Sequence, residues 1–346
     1  MISPIFSGPH AKGPPTVTAT EMPNVTILTN PGATGNRRDP GWLGTVVADA
    51  AGITDVEAGT PSAIAEAVRR AVHSGSTGQS ACDILVVNGG DGTADLVFSA
   101  LMESGSAVGG SAQMPSLFIL PSGKTNMTTA AWCGVTDKTA ALSGLLELRR
   151  QGSVARQTQA RTIMAVRRGP AEPTLHGAFL GAADVVDGIL MCRRSIYPLG
   201  LPNALSHAAA VAVMSWRALV GGSANLLSAR WPSGGEEGAF FFVGVTTLDH
   251  LILGLAPAPA EGDGGLCYLS LGAGPRALAA ALPAILSRRI GPGFRRTVRR
   301  ADKIVLKFNG AFTLDGELYE ADAATPIEVS AAGTLPFIKL PSTKTS

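Results

Sequence analysis

The chain is short of charge, of aromatics and of cysteine, and each shortage narrows what it can be. Charged residues make up 16% of 346 positions against 45% hydrophobic, so large cores can be buried. Net charge is only +2, which removes the general electrostatic case for nucleic acid as a partner. Four cysteines, Cys82, Cys133, Cys192 and Cys267, are scattered without a C-x-x-C pair. They read as reduced thiols of a cytosolic protein rather than as a metal cluster. The five histidines are dispersed, and none has metal-ligand spacing. Long apolar runs are missing too. Ala204 to Val220 is broken by His207, Ser215 and Arg217, whereas a span needs about 20 mostly apolar residues. Met1 to Met22 has no basic start followed by an apolar stretch, so it reads as a flexible tail over residues 1–23 and not as a secretory signal.

Glycine (42) and proline (23) are plentiful, which points to many turns and short strands. The length suits two domains of roughly 100–200 residues each. From Val25 to about Gly152 strands and helices alternate. Val25–Thr29, Ile53–Glu57, Ile84–Val87 and Leu117–Leu120 read as strands. Between them lie a helix over Trp42–Ala51, one opened by Thr60 and Pro61, one over Ala94–Met102, and one from Lys138 to Arg150 stopped by Gly152. That pattern predicts a mostly parallel sheet with helices on both faces. After about Arg161 strands dominate: Thr162–Val166, Gly177–Val186, Ala239–Leu248, Leu266–Leu271, Lys303–Phe308, Pro326–Ser330 and Phe337–Leu340. Helical pattern is confined there to Leu201–Val220 and Ala277–Arg288. The second domain is expected to be largely antiparallel.

The most telling stretch is Ile84 to Thr93, where apolar strand residues run into Gly89-Gly90-Asp91-Gly92-Thr93 at a helix start. A glycine turn there presents bare backbone N–H groups, the geometry that seats a phosphate. Two further loops leave strands at the same predicted edge, Asn30-Pro31-Gly32-Ala33-Thr34-Gly35 and Pro121-Ser122-Gly123-Lys124-Thr125-Asn126. Open α/β sheets bind ligands at that edge. Neither a P-loop nor a dinucleotide fingerprint fits: Phe118 stands where a P-loop needs glycine, and Gly90, Gly92 and Ala94 miss the required spacing.

Together these loops resemble the diacylglycerol kinase catalytic-domain family, which includes the sphingosine and ceramide kinases. Leu314-Asp315-Gly316-Glu317 is similar to that family's C-terminal Asp-Gly-Glu, and Asp263-Gly264-Gly265-Leu266 to its Asp-Gly-x-Leu turn. The resemblance runs from about Val25 to Leu340. It implies a Rossmann-like three-layer α/β domain over 24–156 that binds ATP, and an antiparallel β-sandwich domain over 157–340 that holds a lipid, as in NAD kinases and diacylglycerol kinases. It implies Mg²⁺ as well, with Asp263 at a structural metal turn. Gly89, Gly90, Gly92 and Thr93 would cradle phosphates, with Asn30, Pro31, Thr34 and Gly35 closing over them. Gly123, Lys124, Thr125 and Asn126 would complete the nucleotide site. Glu317 is the expected base for the lipid hydroxyl. Asp315 and Asp91 are the alternatives, Asp91 also as a holder of Mg²⁺ through water. Asp184, in Gly181-Ala182-Ala183-Asp184-Val185, loosely resembles a lipid-headgroup aspartate of sphingosine kinases and reads equally as a strand-end turn residue.

The expectation is therefore an ATP-dependent lipid kinase, cytoplasmic and peripheral at the membrane, with diacylglycerol, ceramide or a sphingoid base as acceptor and with a homodimer left open. A NAD kinase-like enzyme and an inactive nucleotide- or lipid-binding module are the rivals. Two departures feed the last: Leu96 stands where the family has Glu, with Asp95 offset by one, and Lys124 intrudes between Gly123 and Thr125. Arg288, Arg289, Arg295, Arg296, Arg299 and Arg300 form a basic run, read equally as a solvated surface or as a dock on anionic headgroups.

Overall fold

A computed structural model describes residues 22–47, 51–73, 82–107, 114–183, 186, 226–249, 262–273 and 298–341. Most of the N-terminal tail, the helices expected at Leu201–Val220 and Ala277–Arg288, Asp184, and all of the arginine run but Arg299 and Arg300 lie outside the described residues.

β1 (Val25–Thr29), β2 (Ile53–Glu57), β3 (Ile84–Gly89) and β4 (Ser116–Pro121) form a parallel sheet in the order β4-β3-β1-β2. Every residue of β3 is buried, as a central strand covered on both faces requires. Around the sheet run α1 (Thr34–Arg38), α2 (Trp42–Val47), α3 (Pro61–His73), α4 (Asp91–Ala107), α5 (Lys138–Arg150) and α6 (Val154–Gln157). Local chemistry sets their starts. Thr60 Oγ1 accepts the Ala63 N–H at 3.3 Å with Pro61 in the first helical position, and Asp137 accepts the Ala140 N–H at 2.7 Å.

The second part is built from β5 (Thr158–Arg167), β6 (Leu175–Gly177), β7 (Phe179–Ala182), β8 (Leu226–Trp231), β9 (Gly234–Thr246), β10 (Leu266–Gly272), β11 (Val298–Ala301), β12 (Lys303–Lys307), β13 (Gly310–Leu314), β14 (Glu317–Ala321) and β15 (Ile327–Ile338). Their mutual pairings are antiparallel. β9 pairs with β8 through its first half and with β7 and β10 through its second, so one long strand serves two sets of neighbours. Met164, Leu180, Val243, Tyr268, Ile304, Phe312 and Val329 meet in a second core.

β15 joins the two parts. It runs antiparallel to β5 for most of its length, and its end sets Phe337 opposite Leu117 in parallel with β4. Leu335, Phe337 and Ile338 then belong to the first core. There Phe337 packs on Trp132 at 4.7 Å and on Phe98 at 5.8 Å between ring centroids. The result is one mixed sheet with helices, in an α/β plus β arrangement.

Some boundaries differ from the sequence reading. α4 begins at Asp91 rather than Ala94. The strand read over Gly177–Val186 breaks at Ala178 into β6 and β7. The two strands read at Pro326–Ser330 and Phe337–Leu340 are the single β15, with a register shift between Ala331 and Gly333. β8, β11, β13 and β14 carry no pattern strong enough to have been read.

Phe337→Ala removes the ring that seats β15 in the first core. It is expected to cost about 3–5 kcal/mol, the usual range for a large buried aromatic. In a guanidinium titration followed by tryptophan fluorescence and by circular dichroism, both signals should shift together to lower denaturant. A variant in which only one signal moves would show that the seam does not couple the two parts.

Candidate active site

β1, β3 and β4 end at one edge of the parallel sheet, and a buried polar network fastens their loops together. Asn88, near the end of β3, is its hub. Its Oδ1 accepts from Ser122 Oγ at 2.7 Å, and its Nδ2 donates to Thr29 Oγ1 at 3.3 Å. Its carbonyl accepts from the Asn30 N–H at 3.0 Å and from Asn36 Nδ2 at 2.9 Å. Asn36 Nδ2 also reaches the Asn30 carbonyl at 2.9 Å. Asn30 then points forward: its Nδ2 donates to Thr93 Oγ1 at 2.8 Å, and its Oδ1 accepts the Gly32 N–H at 2.8 Å.

Two glycine positions tolerate no side chain. A Cβ on Gly123 would stand 2.7 Å from Gly90 Cα, and one on Gly35 would stand 3.0 Å from the Ser122 carbonyl oxygen. The loops approach backbone to backbone, and the Gly35 N–H donates to that same carbonyl at 2.8 Å. Asn126 holds the third loop, accepting the Gly123 N–H at 2.8 Å and returning a bond to its carbonyl at 3.1 Å, from a left-handed backbone at φ 51°. The Thr93 and Ala94 N–H groups both bond the Gly90 carbonyl, so the 17-residue α4 is wound from its first residue. Its first turn leaves N–H groups without intrahelical acceptors, the donors an anion uses.

Facing this edge is the hairpin turn between β13 and β14. Asp315 (φ 46°) and Gly316 (φ 92°) both take positive φ, as a two-residue turn of the I′ kind demands. The Asp315 carboxylate accepts the N–H of Ala178 at 2.6 Å and of Phe179 at 3.0 Å, and its own N–H donates to the Phe179 carbonyl at 2.8 Å. The next strand residue, Glu317, lies against the glycine turn: its Cγ and Oε1 are 3.6 Å from where a Cβ on Gly92 would be. A residue from far along the chain therefore completes the rim.

The electrostatics are those of crowded acids. Burial pushes the Asp91 carboxyl up to about 6, against the backbone amides of Met127, Thr128 and Asn126, which favour its charge. Burial likewise raises Asp315 to about 7, with the Asp91 charge adding to it. Asp95 is held well above the usual carboxylate range by burial first, then by Asp315, Asp91 and Glu317. The buried Oδ1 atoms of Asp91 and Asp95 have no hydrogen-bond partner. Beside them Tyr319 stacks on Phe312 at 5.4 Å, and the Arg168 guanidinium lies 5.0 Å over the Tyr319 ring.

Of the expected site residues, Asn30, Thr34, Gly35, Gly89, Gly90, Asp91, Gly92, Thr93, Gly123 and Asn126 lie in or beside the laced loops, and Asp315 and Glu317 are brought to them. Pro31, Lys124 and Thr125 are exposed at the rim. Asp263 is exposed on a turn whose Gly264 packs against the backbone of Ala301 and Asp302, apart from these contacts. Among the described residues no group of three or more His, Cys, Asp or Glu side chains is placed to hold a metal ion. Asn36, Asn88, Ser122 and the role of Asp95 went unread. For Asp95 the signal was its i, i+4 spacing from Asp91 on one helix face.

Three solved structures from Bacillus anthracis str. Sterne share this fold. One is described as a diacylglycerol kinase (14% identity, TM-score 0.58, 92% of this chain and 98% of that one). The other two carry the same description provisionally: one at 16% identity and TM-score 0.58, covering 93% and 100%, and one at 14% and 0.59, covering 94% and 100%. At such identities the likeness is one of fold. The sequence itself adds a match: residues 24–156 fit the family model of the diacylglycerol kinase catalytic domain. No curated protein matches the chain.

Asn88→Ala strips the hub from the loops and leaves the Ser122 hydroxyl without its acceptor. A loss of about 1–3 kcal/mol is expected, the range for an orphaned buried polar group. Denaturant unfolding checks it; an unchanged midpoint would show that the loops hold without Asn88.

Proposed function

We propose that the protein is an ATP-dependent lipid kinase that transfers the γ-phosphate to a lipid hydroxyl. Residues 24–156 form the nucleotide-binding, Rossmann-like domain in this reading, and the antiparallel part over 157–340 is a β-sandwich that takes the lipid. The observation that carries it is the placement of Glu317 against Gly92, where an acceptor hydroxyl would meet a phosphate seated on the glycine turn. Phosphoryl transfer asks mainly for positioning and for neutralised charge. The N–H groups of the first turn of α4 and the laced loops serve the first need, and exposed Lys124 at the rim serves the second.

Proton balance selects among the acids. As the acceptor oxygen bonds the γ-phosphorus, the bond to the bridging oxygen of ADP breaks and the hydroxyl proton must leave. Asp315 already spends both carboxylate oxygens on backbone N–H groups. Glu317 is exposed and adjacent to the turn, and it takes the proton. Asp91 remains the oxygen donor for Mg²⁺ through water, and its partnerless Oδ1 fits that role. Mg²⁺ is commonly held by one or two carboxylates together with substrate phosphates. When bound, the ion neutralises phosphate charge. No helix among the described residues is long and apolar enough to cross a membrane. A lipid acceptor would be met by peripheral docking from the cytoplasm, and the arginine-rich segment of the sequence over 288–300 is the one we assign to anionic headgroups.

Labelled ATP offered with diacylglycerol, ceramide, a sphingoid base or NAD tests the reading. Transfer to one of the lipids is expected. Glu317→Gln should lower kcat by about 10²–10⁴, the contribution of a positioned general base, with unchanged circular dichroism. Transfer to NAD alone would favour the NAD kinase alternative. Absence of transfer to any acceptor would favour a binding module, and full activity in Glu317→Gln would remove the base assignment.

A further inference from the structure

Glu317 and Tyr319 are the first and third residues of β14, so their side chains leave the strand on one side, about 7 Å apart. The register agrees: Leu314 stands opposite Glu317, and Phe312 opposite Tyr319. Two contacts hold the Tyr319 ring. The fully buried Phe312 ring stacks on it at 5.4 Å, and the Arg168 guanidinium lies 5.0 Å from its centroid. A ring held so points its hydroxyl in a set direction, and that hydroxyl has no hydrogen-bond partner among the described residues. Burial first, then the charges of Asp95 and Glu317, raises the phenol above its ordinary range, so it stays a donor.

Arg168, just past the end of β5, is a second donor without an acceptor. Its Nη2 pairs with Glu172 Oε2 at 2.9 Å, but the Glu172 side chain is half exposed, and such pairs add little to stability. Its buried Nε–H has no partner. A buried donor left unanswered is unfavourable, and folding alone gives no return for it. Both donors gather at Tyr319, one step along β14 from the residue proposed as the base.

We propose that Arg168 and Tyr319 read an acyl carbonyl, so that the acceptor is an acylated lipid whose ester or amide carbonyl lies a few bonds from the hydroxyl to be phosphorylated. The inference rests on the lipid-kinase reading and narrows it. A hydroxyl delivered to Glu317 carries the rest of its headgroup toward Tyr319, on the same side of β14. A carbonyl oxygen only accepts hydrogen bonds, and its two lone pairs serve two donors. Diacylglycerol brings an ester carbonyl to that place and ceramide an amide carbonyl. A sphingoid base brings an ammonium, which has hydrogens but no lone pair. It would leave the Arg168 N–H unanswered and set two like charges side by side. A site built to hydrogen-bond a group rejects ligands that lack it, because its own polar atoms then stay unpaired.

Each acyl lipid has an analogue without the carbonyl: dialkylglycerol for diacylglycerol, and the N-alkyl compound for ceramide. Labelled ATP is offered with these four and with a sphingoid base in detergent micelles. The wild type should favour its acyl lipid over the matching analogue by about 10²-fold in kcat/KM, the worth of one neutral and one charged hydrogen bond. The relative rates on diacylglycerol and ceramide tell which carbonyl the site takes. Tyr319→Phe should lower kcat/KM for the acyl lipid by about 10-fold, and Arg168→Met by about 10–10²-fold. Neither should slow the analogue comparably, and the KM for ATP and the circular dichroism should be unchanged. Equal rates on acyl lipid and analogue, a wild-type preference for the sphingoid base, or a preference untouched in both variants would overturn the subsite and leave the kinase reading in place. Absence of transfer to every lipid would remove both.

Discussion

A carboxylate with a backbone N–H at each oxygen holds the turn on which this site depends. Asp315 adopts a left-handed backbone, a conformation that L-residues other than glycine, asparagine and aspartate rarely take. It also buries a charge-bearing group beside other acids. Both are unfavourable, and the bonds from Ala178 and Phe179 offset them. Gly177 is part of the same constraint, since a side chain there would collide with the Asp315 carboxylate. Once the turn is fixed, the antiparallel register of β13 and β14 leaves Glu317 little freedom: it must project from the first position of β14, where the glycine turn of α4 waits.

That meeting would mean little if the two parts could drift. β15 prevents it by belonging to both: it pairs with β5 and β12 in the second part and with β4 in the first. The Phe98–Trp132–Phe337 cluster seals the join, with all three rings fully buried. Dense cores move little, so the separation of Gly92 and Glu317 is set by packing rather than by a linker.

Local signals were legible and long-range ones were not. β1, β2 and α5 lie where alternation, caps and stop residues put them, because those signals act over a few residues. The start of α4 was read three residues late, since glycines argue against helix although the first turn tolerates them when its N–H groups serve another purpose. β15 was split in two because the Ala331–Gly333 irregularity interrupts its pattern, and a bulge absorbs that interruption in the sheet. The three loops and the Asp-Gly-Glu turn were visible as motifs, yet Asn36, Asn88 and Ser122 look like any polar residues until the fold buries them together.

The crowding of acids has a consequence for any nucleotide at this edge. Burial raises Asp91, Asp95 and Asp315, with Asp315, Asp91 and Glu317 adding to Asp95 and Asp91 adding to Asp315, and a triphosphate would bring more negative charge beside them. Backbone N–H groups at the start of α4 would answer part of that repulsion at the phosphates. What remains is Asp91, pushed up to about 6 by burial, and an exposed Glu317. The rim thus divides its carboxyls by environment: Asp315 and the Oδ1 atoms of Asp91 and Asp95 are buried, while Glu317 is exposed.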